Sequence, residues 1–342
     1  MENNTNTSTV NVKHRGRARQ FIIYLDKFFR LFILQNDWKV LPMSAIIAGM
    51  VALAVGKNLF ITMEGTFQGT FALTCVCIWN GFFNSIQSIC RERAIIKREH
   101  RAGLHITSYV AAHMVYQAFL CAAQCVITIL VLYNTNVVKL NESVIANVDM
   151  SGIDSMGPLS YILTVLIKPS FTTELFITLF LVTYSADLMA LMISAIVHSQ
   201  MAAMTVMPFM LIIQLVFSGF IALPESVAEI SSLMLSKYGV QGLSVISDYN
   251  SMPAVMVWNK MYSAGDKVDI GGGVTLKDVM QIVQDQGMQD TVLKKLGEAN
   301  QRADFASTLS NMTDCWKTLL ILSVVFVVVT VVFLEFIDRD KR

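Results

Sequence analysis

Residues 90–109, CRERAIIKREHRAGLHITSY, set Arg91, Arg93, Lys97, Arg98 and Arg101 beside Glu92 and Glu99, between two of the most apolar stretches of the chain. On a helix, Arg93, Lys97 and Arg101 recur at every fourth position and form one basic stripe with His100 beside it. Glu92 and Glu99, seven apart, share a different face. Two kinds of chemistry suit such a segment. It can be a solvated interfacial stretch whose basic side touches anionic headgroups. It can also dock a separate cytoplasmic protein, reached by the acidic face and the Gly103 turn.

Asp187 is the second candidate, the one acid deep inside an apolar run. An intramembrane carboxylate is costly and can act as a proton or cation relay. Hydrogen bonding to Ser185, Tyr184 or a neighbouring helix would also satisfy it. Asn80, Asn84, Gln124 and Gln214 read as interhelical hydrogen-bonding groups, some of which could line a path. Other chemistry is missing. The chain has no G-x-x-x-x-G-K-[ST], HExxH, GxSxG or paired-cysteine zinc pattern. GDKVDIGGG has glycines but no Lys-Ser/Thr opening a helix. Cys121 and Cys125 share a helical face without His or acidic partners, and the histidines suit no metal site. No catalytic residue, metal or cofactor is expected in this chain.

The elements that position these residues follow from composition. The 342 residues are 54% hydrophobic and 15% charged, against about 25% charged in soluble domains. A net charge of +1 gives no global field for nucleic acid. Six windows approach the roughly 20 apolar residues that a membrane-crossing helix needs: 40–56, 67–89, 106–133, 174–197, 202–223 and 318–337. Ahead of them, ARQFIIYLDKFFRLFILQNDWK carries Phe21, Tyr24, Leu25, Phe28, Phe32 and Ile33 at helical spacing. It reads as an amphipathic helix lying along the membrane. The polar first residues lack the features of a cleavable signal.

Short segments 1–39, 91–105, 198–201 and 338–342 concentrate Lys and Arg, so they share the cytoplasmic side with both termini. The long segments 134–173 and 224–316 fall outside. LPESVAEISSLMLSKYGVQGLSVI is too apolar for a loop and too interrupted for a span, and reads as a re-entrant outer helix shielded by protein. TLKDVMQIVQDQGMQDTVLKKLGEANQRADF reads as a small helical cap opened by Thr275 and Asp278 as a capping pair. The expected fold is an all-α membrane protein of six transmembrane helices. Its divisions are a disordered tail (1–17), an amphipathic helix (18–39), spans one to five (40–223), a re-entrant and cap segment (224–316) and a last span with its tail (317–342).

RERAIIKREHRAGLHITSYVAAHM resembles the segment of type-2 ABC exporter permeases, especially the G subfamily, in which E-R, R-E, a Gly and S-Y occur in order. Glu92-Arg93, Arg98-Glu99, Gly103 and Ser108-Tyr109 match. RQFIIYLDKFFRLFILQNDW is similar to that family's connecting helix, and AIVHSQMAAMTVMPFMLIIQLVFSGFIALPES followed by LSKYGVQGL to its fifth span and re-entrant turn.

The resemblance implies a dimer of permeases, the second the same or a related chain, in the cell membrane. Cytoplasmic ABC ATPase subunits, carrying ATP and Mg, would dock at Glu92, Arg93, Arg98, Glu99 and Gly103. It also implies a substrate path lined by Trp79, Phe82, Phe83 and Asn84 of the second span and Gln214, Phe217 and Phe220 of the fifth, for export of a lipid, peptide or drug-like molecule. The 39 residues before the first span are too few for an ATPase domain, so that partner is expected as a separate chain. An ion-coupled carrier using Asp187, or a non-transporting scaffold or immunity protein, is the alternative reading.

Overall fold

The computed structural model describes residues 16–34, 37–56, 59–135, 170–219, 229–271, 273–297 and 302–337. The N-terminal tail, most of the 134–173 segment, Phe220 and the C-terminal basic residues lie outside them. Helices dominate: α1 (Arg17–Leu34), α2 (Val40–Val55), α3 (Met63–Ser85), α4 (Ser88–Arg101), α5 (Ile106–Asn134), α6 (Phe171–Ile196) and α7 (Gln200–Val216). Then come α8 (Leu235–Ile246), α9 (Met252–Ala264), α10 (Leu276–Asp285), α11 (Gln289–Gly297) and α12 (Leu309–Glu335).

Among the described residues, α5, α6 and α12 are long and apolar enough to cross a membrane, and α2 and α7 are shorter apolar helices. α3 is long but more polar, because Gln68, Asn80 and Asn84 interrupt its apolar run. Several helices start where a Ser or Thr side chain accepts an otherwise unpartnered backbone N–H. Thr62 accepts from Gly65, Ser170 from Thr173, Ser199 from Ala202 and Thr308 from Asn311. Several boundaries move from those expected. The second apolar window ends four residues early, at Ser85 rather than 89, the helix of the fifth ends at Val216 rather than 223, and the last helix begins at Leu309 rather than 318. Thr308 supplies the cap that sets this last start.

α6 is the central helix, packed on α3 along one side and α12 along another. In lipid there is little hydrophobic drive for helix association, so close approach and polar contacts carry the packing. Gly81 of α3 lies on the α6 backbone: a Cβ there would overlap the Thr183 carbonyl and sit 2.7 Å from the Asp187 nitrogen. On the other side, the Ser185 and Ser323 hydroxyls lie 2.8 Å apart, and the Trp316 indole donates to Thr178 Oγ1 at 2.9 Å. α8 fits among α3, α6 and α12. Its Gly239 faces Thr74 and its Gly242 faces Thr178. The Gln214 side chain of α7 accepts from the Ser236 backbone nitrogen near the start of α8.

The cap stands on Tyr249, Met252 and Phe305, packed with Met63 and Phe67. The expectation of an all-α chain fails at one place. GDKVDIGGG contributes β1 (Asp269–Gly271), which pairs antiparallel with β2 (Val274–Thr275). Gly271 (φ 116°) and Gly273 (φ 79°) adopt the left-handed backbone that lets the chain reverse. The Thr275–Asp278 capping box forms as its spacing predicts. Its two backbone and side-chain bonds from Thr275 hold the Asp278 carboxyl below its ordinary range.

Gly81→Ala should force α3 from α6 and lower stability by about 1–3 kcal/mol, read as a fall in the melting temperature of the detergent-purified protein. In the cap, a carboxyl depressed on folding contributes above its free value, about pH 4, and its contribution is lost as pH falls through the lower folded value. Protection of the α10 amides, taken as exchange relative to the unfolded chain at the same pH, should therefore hold at neutral pH and fall on acidification below that range. Asp278→Asn should exchange faster already at neutral pH.

Candidate functional site

The charged stretch folds as α4, braced at both ends and along one side. Gln87, at its N-cap position, offers no side-chain cap. Ser194 of α6 takes that role: its hydroxyl accepts the Ile89 and Cys90 N–H groups, each at 3.1 Å. Arg93 returns the contact by donating to the carbonyls of Ala195 (2.8 Å) and Val197 (3.3 Å). The end of α6 and the start of α4 thus satisfy each other's terminal backbone groups. At its far end α4 closes through Gly103 (φ 100°), with Leu104 N–H bonded to the Glu99 carbonyl and Gly103 N–H to His100. This paired closure is the Schellman arrangement that only glycine adopts without strain. His100 also lies 3.8 Å from Glu335 at the end of α12.

The acidic face meets α1. Lys27 Nζ is 3.2 Å from Glu92, and the Tyr24 hydroxyl donates to Glu99 at 2.7 Å. Gln20, on the same face of α1, donates to the Gly103 carbonyl (3.0 Å) and accepts from His105 N–H (2.9 Å). Burial, reinforced by the Glu99 carboxylate, pushes the Tyr24 phenol well above its ordinary range, so it remains a donor. Phe28 seats this side of α1 among Tyr109, His113 and Tyr116.

These contacts change the reading of both segments. Tyr24, Leu25 and Phe28, expected on the membrane-facing stripe of α1, turn inward. Ile22, Ile23, Ile33 and Leu34 are the exposed apolar residues. Glu92 and Glu99, expected to reach a separate protein, are engaged within the chain. What α4 exposes instead is Arg91, Ala94, Ile95, Arg98 and Arg101. The signal was present in the sequence, since Gln20, Tyr24 and Lys27 recur at helical spacing on one face.

Directly beyond the start of α4 lies a buried polar chain. Gln117 of α5 donates to Ser85 Oγ at 2.7 Å, and Ser85 donates to Asp187 Oδ1 at 2.7 Å. Asp187 is fully buried, and its partner is therefore Ser85 of α3 rather than Ser185, whose hydroxyl bonds α12, or Tyr184, whose hydroxyl meets the Met114 carbonyl. Beside it, Asn84 and Gln124 exchange reciprocal amide bonds of 2.9 and 3.0 Å. Asn80 donates to Ser44 of α2 at 3.2 Å.

A family model described as ABC-2 type transporter matches residues 19–247, from the first turn of α1 to just past α8. The chain belongs to the ABC-2 type transporter family. It is a membrane protein and, as an ABC-2 membrane domain, a permease subunit of an ABC transporter. No curated protein is similar enough to count as a match. The ABC-2 match includes the whole of α4 and α6 and nearly all of α1, and leaves the cap and α12 outside.

Within this ABC-2 domain the expected substrate-facing residues separate into two groups. Trp79 and Phe83 are 40% and 44% exposed, with ring centroids 5.5 Å apart on one face of α3. Phe217 is half-buried at the end of α7. Phe82 is fully buried in the core, Asn84 bonds Gln124, and Gln214 bonds Ser236 of α8. Phe220 lies outside the described residues.

Lys27→Glu should set two carboxylates against each other and loosen α1 from α4, at a cost on the order of 1 kcal/mol. Adding Glu92→Lys should restore the pair. A thermal-melt cycle of the two single variants and the double variant measures the coupling, and additive losses would show that the ion pair holds nothing.

Proposed function

We propose that this chain is the permease of an ATP-driven exporter, working with a second permease copy and separately encoded cytoplasmic ATPase subunits. The observation that carries this reading is α4: a short charged helix, fixed to α1, α6 and α12, that still presents Arg91, Ile95 and Arg98 outward. A helix held this way transmits force to the spans it joins. Mg-ATP would close the ATPase pair. Closure would press on α4 and the Gly103 turn, and the cavity between permeases would change its access. Such a shift needs ATP to bind one conformation better than the other.

In this reading α2, α3, α5, α6, α7 and α12 are the six spans, and α8 is the re-entrant helix on the outer side. Its burial among α3, α6 and α12 supplies the protein shielding that non-spanning backbone needs at membrane depth. The density of Arg and Lys in α4 favours the cytoplasmic side for it. Trp79, Phe83 and Phe217 would face the substrate, and an aromatic surface suits an apolar or amphipathic molecule. G-subfamily resemblance in the charged stretch supports export as the direction. Asp187, bonded to Ser85, serves in this reading to hold α3 and α6 together.

The test is co-purification of the tagged chain from its native membrane in mild detergent, with ATPase assay of what accompanies it. A Walker-motif protein should come with the wild type and be lost from Arg98→Glu or Ile95→Asp. Glu99→Ala should retain the partner while transport falls relative to ATP hydrolysis. A chain that emerges alone, without ATP turnover, would overturn the proposal.

A further inference from the structure

The side of α4 that is turned away from the bundle has one chemical character. Arg91, Ala94, Ile95, Arg98 and Arg101 are exposed, Ile95 by 40%. At about 100° per residue these five positions fall within one arc, and Ile89 and Ile96 lie about 200° round from Arg91 and Arg98. Both isoleucines are fully buried. The helix lies across the ends of its neighbours. Ser194, near the end of α6, accepts from its first turn, Glu335 at the end of α12 meets His100, and Gly103 leads into α5. The exposed side of α4 therefore points away from the ends of these helices.

That side carries three guanidinium groups of α4 and neither of its carboxylates. The two acids face α1, where Glu92 meets Lys27 at 3.2 Å and Glu99 accepts from Tyr24 at 2.7 Å. Ile95 stands among the arginines, one turn after Arg91 and just ahead of Arg98 and Arg101. At 1.5 Å per residue, Arg91 precedes it by about 6 Å, while Arg98 and Arg101 follow it by about 4.5 and 9 Å. A neutral partner surface would strip water from these guanidiniums without return. Carboxylates would replace that water, since guanidinium and carboxylate match as a bidentate pair. Lipid headgroups flank the spans, whereas this side points past their ends, and headgroups would leave Ile95 in water.

We propose, resting on the exporter reading above, that α4 seats in an acidic groove of the partner ATPase. An apolar hole in that groove takes Ile95. One carboxylate about a helical turn before the hole meets Arg91, and carboxylates beyond it meet Arg98 and Arg101. The order fixes the direction of the helix in the groove, because one cation lies on one side of the isoleucine and two on the other. Charge steers the encounter and makes it sensitive to salt. Ile95 supplies affinity that salt does not screen. A basic groove would repel α4, so this face also selects among ATPases. Glu92 and Glu99 hold α4 on α1 and take no part in docking.

The tagged chain is captured with its ATPase from native membranes in mild detergent and washed at 50, 150 and 500 mM NaCl. The ATPase, identified by its Walker-motif peptides, is quantified per permease. Retention by the wild type should fall roughly tenfold across that range, the scale of three exposed ion pairs. The triple variant Arg91→Gln, Arg98→Gln, Arg101→Gln should retain little even at 50 mM and lose its salt dependence. Ile95→Ala should lower retention roughly tenfold at every salt concentration and leave the salt dependence intact. All four positions are exposed, so melting temperatures should match the wild type. An ATPase that survives 500 mM NaCl undiminished, or that the triple variant retains at the wild-type level, would overturn the acidic groove and leave the exporter reading standing. No ATPase at 50 mM would overturn both. Maleimide labelling of Ala94→Cys in nanodiscs tests headgroups as the occupant. The rate should be equal in dioleoylphosphatidylglycerol and dioleoylphosphatidylcholine and fall only when the ATPase is added; slower labelling in the anionic lipid alone would overturn the proposal.

Discussion

The rest of the structure depends on the contact between α3 and α6. Gly81 removes the side chain that would hold the two backbones apart, so the Thr183 carbonyl and Asp187 nitrogen come within reach of α3. That approach in turn makes the Ser85–Asp187 bond possible one turn further on. In a lipid solvent, a glycine contact and a buried hydrogen bond are the means available for fixing two helices, because burying leucine against lipid tails gains little. Each requires the other. Without the close approach the carboxylate would be left unpaired at high cost, and without the bond the glycine contact would leave a polar group stranded.

From this contact the geometry of α4 follows. Ser85 ends α3, a two-residue turn intervenes, and α4 begins against Ser194 at the end of α6. The same pair of helices is thus joined by Gly81 one turn before the end of α3, and beyond that end by Ser194 and Arg93. α12 joins the block through Trp316 and Ser323. α1 lies across the other side of α4 and brings the positive charge of Lys27 to Glu92. α4, which exposes Arg91, Ile95 and Arg98, is thus tied to α1, α6 and α12.

Much of this was legible in the sequence, because the controlling signals were local. Apolar length marked the long helices, the Thr275–Asp278 pair marked a helix start, and the alternation of charge in residues 90–105 marked a two-faced helix. What could not be read was which neighbour each face would meet. The pairing of Glu92 and Glu99 with α1 joins residues more than sixty positions apart, and no periodicity encodes such a distance. Aromatic spacing in α1 was visible, but membrane and protein are both apolar partners, and Phe28 chose protein. Asp187 was visible as an anomaly, whereas Ser85 is one serine among many until folding places it opposite. The hairpin at 269–275 was missed because three glycines signal a turn without saying that strands flank it.

The same ties constrain how the permease can move. If α4 were free to swing, a push on it would be absorbed by breaking local contacts. Here a swing would have to strip Ser194 from two N–H groups and Arg93 from two carbonyls, all partly or wholly buried. Leaving such groups unpaired costs more than displacing a packed block, since packed helices slide and rotate as units. Displacement of α4 therefore carries α3 and α6 with it. The boundary at which the chain yields must lie elsewhere, where contacts are sparser. α7 meets α3, α4, α6 and α8 through few contacts, and Pro208 interrupts its hydrogen-bond ladder. In the proposed exporter, the block of α3, α4, α6 and α12 would be the lever, and α7 the surface against which it turns.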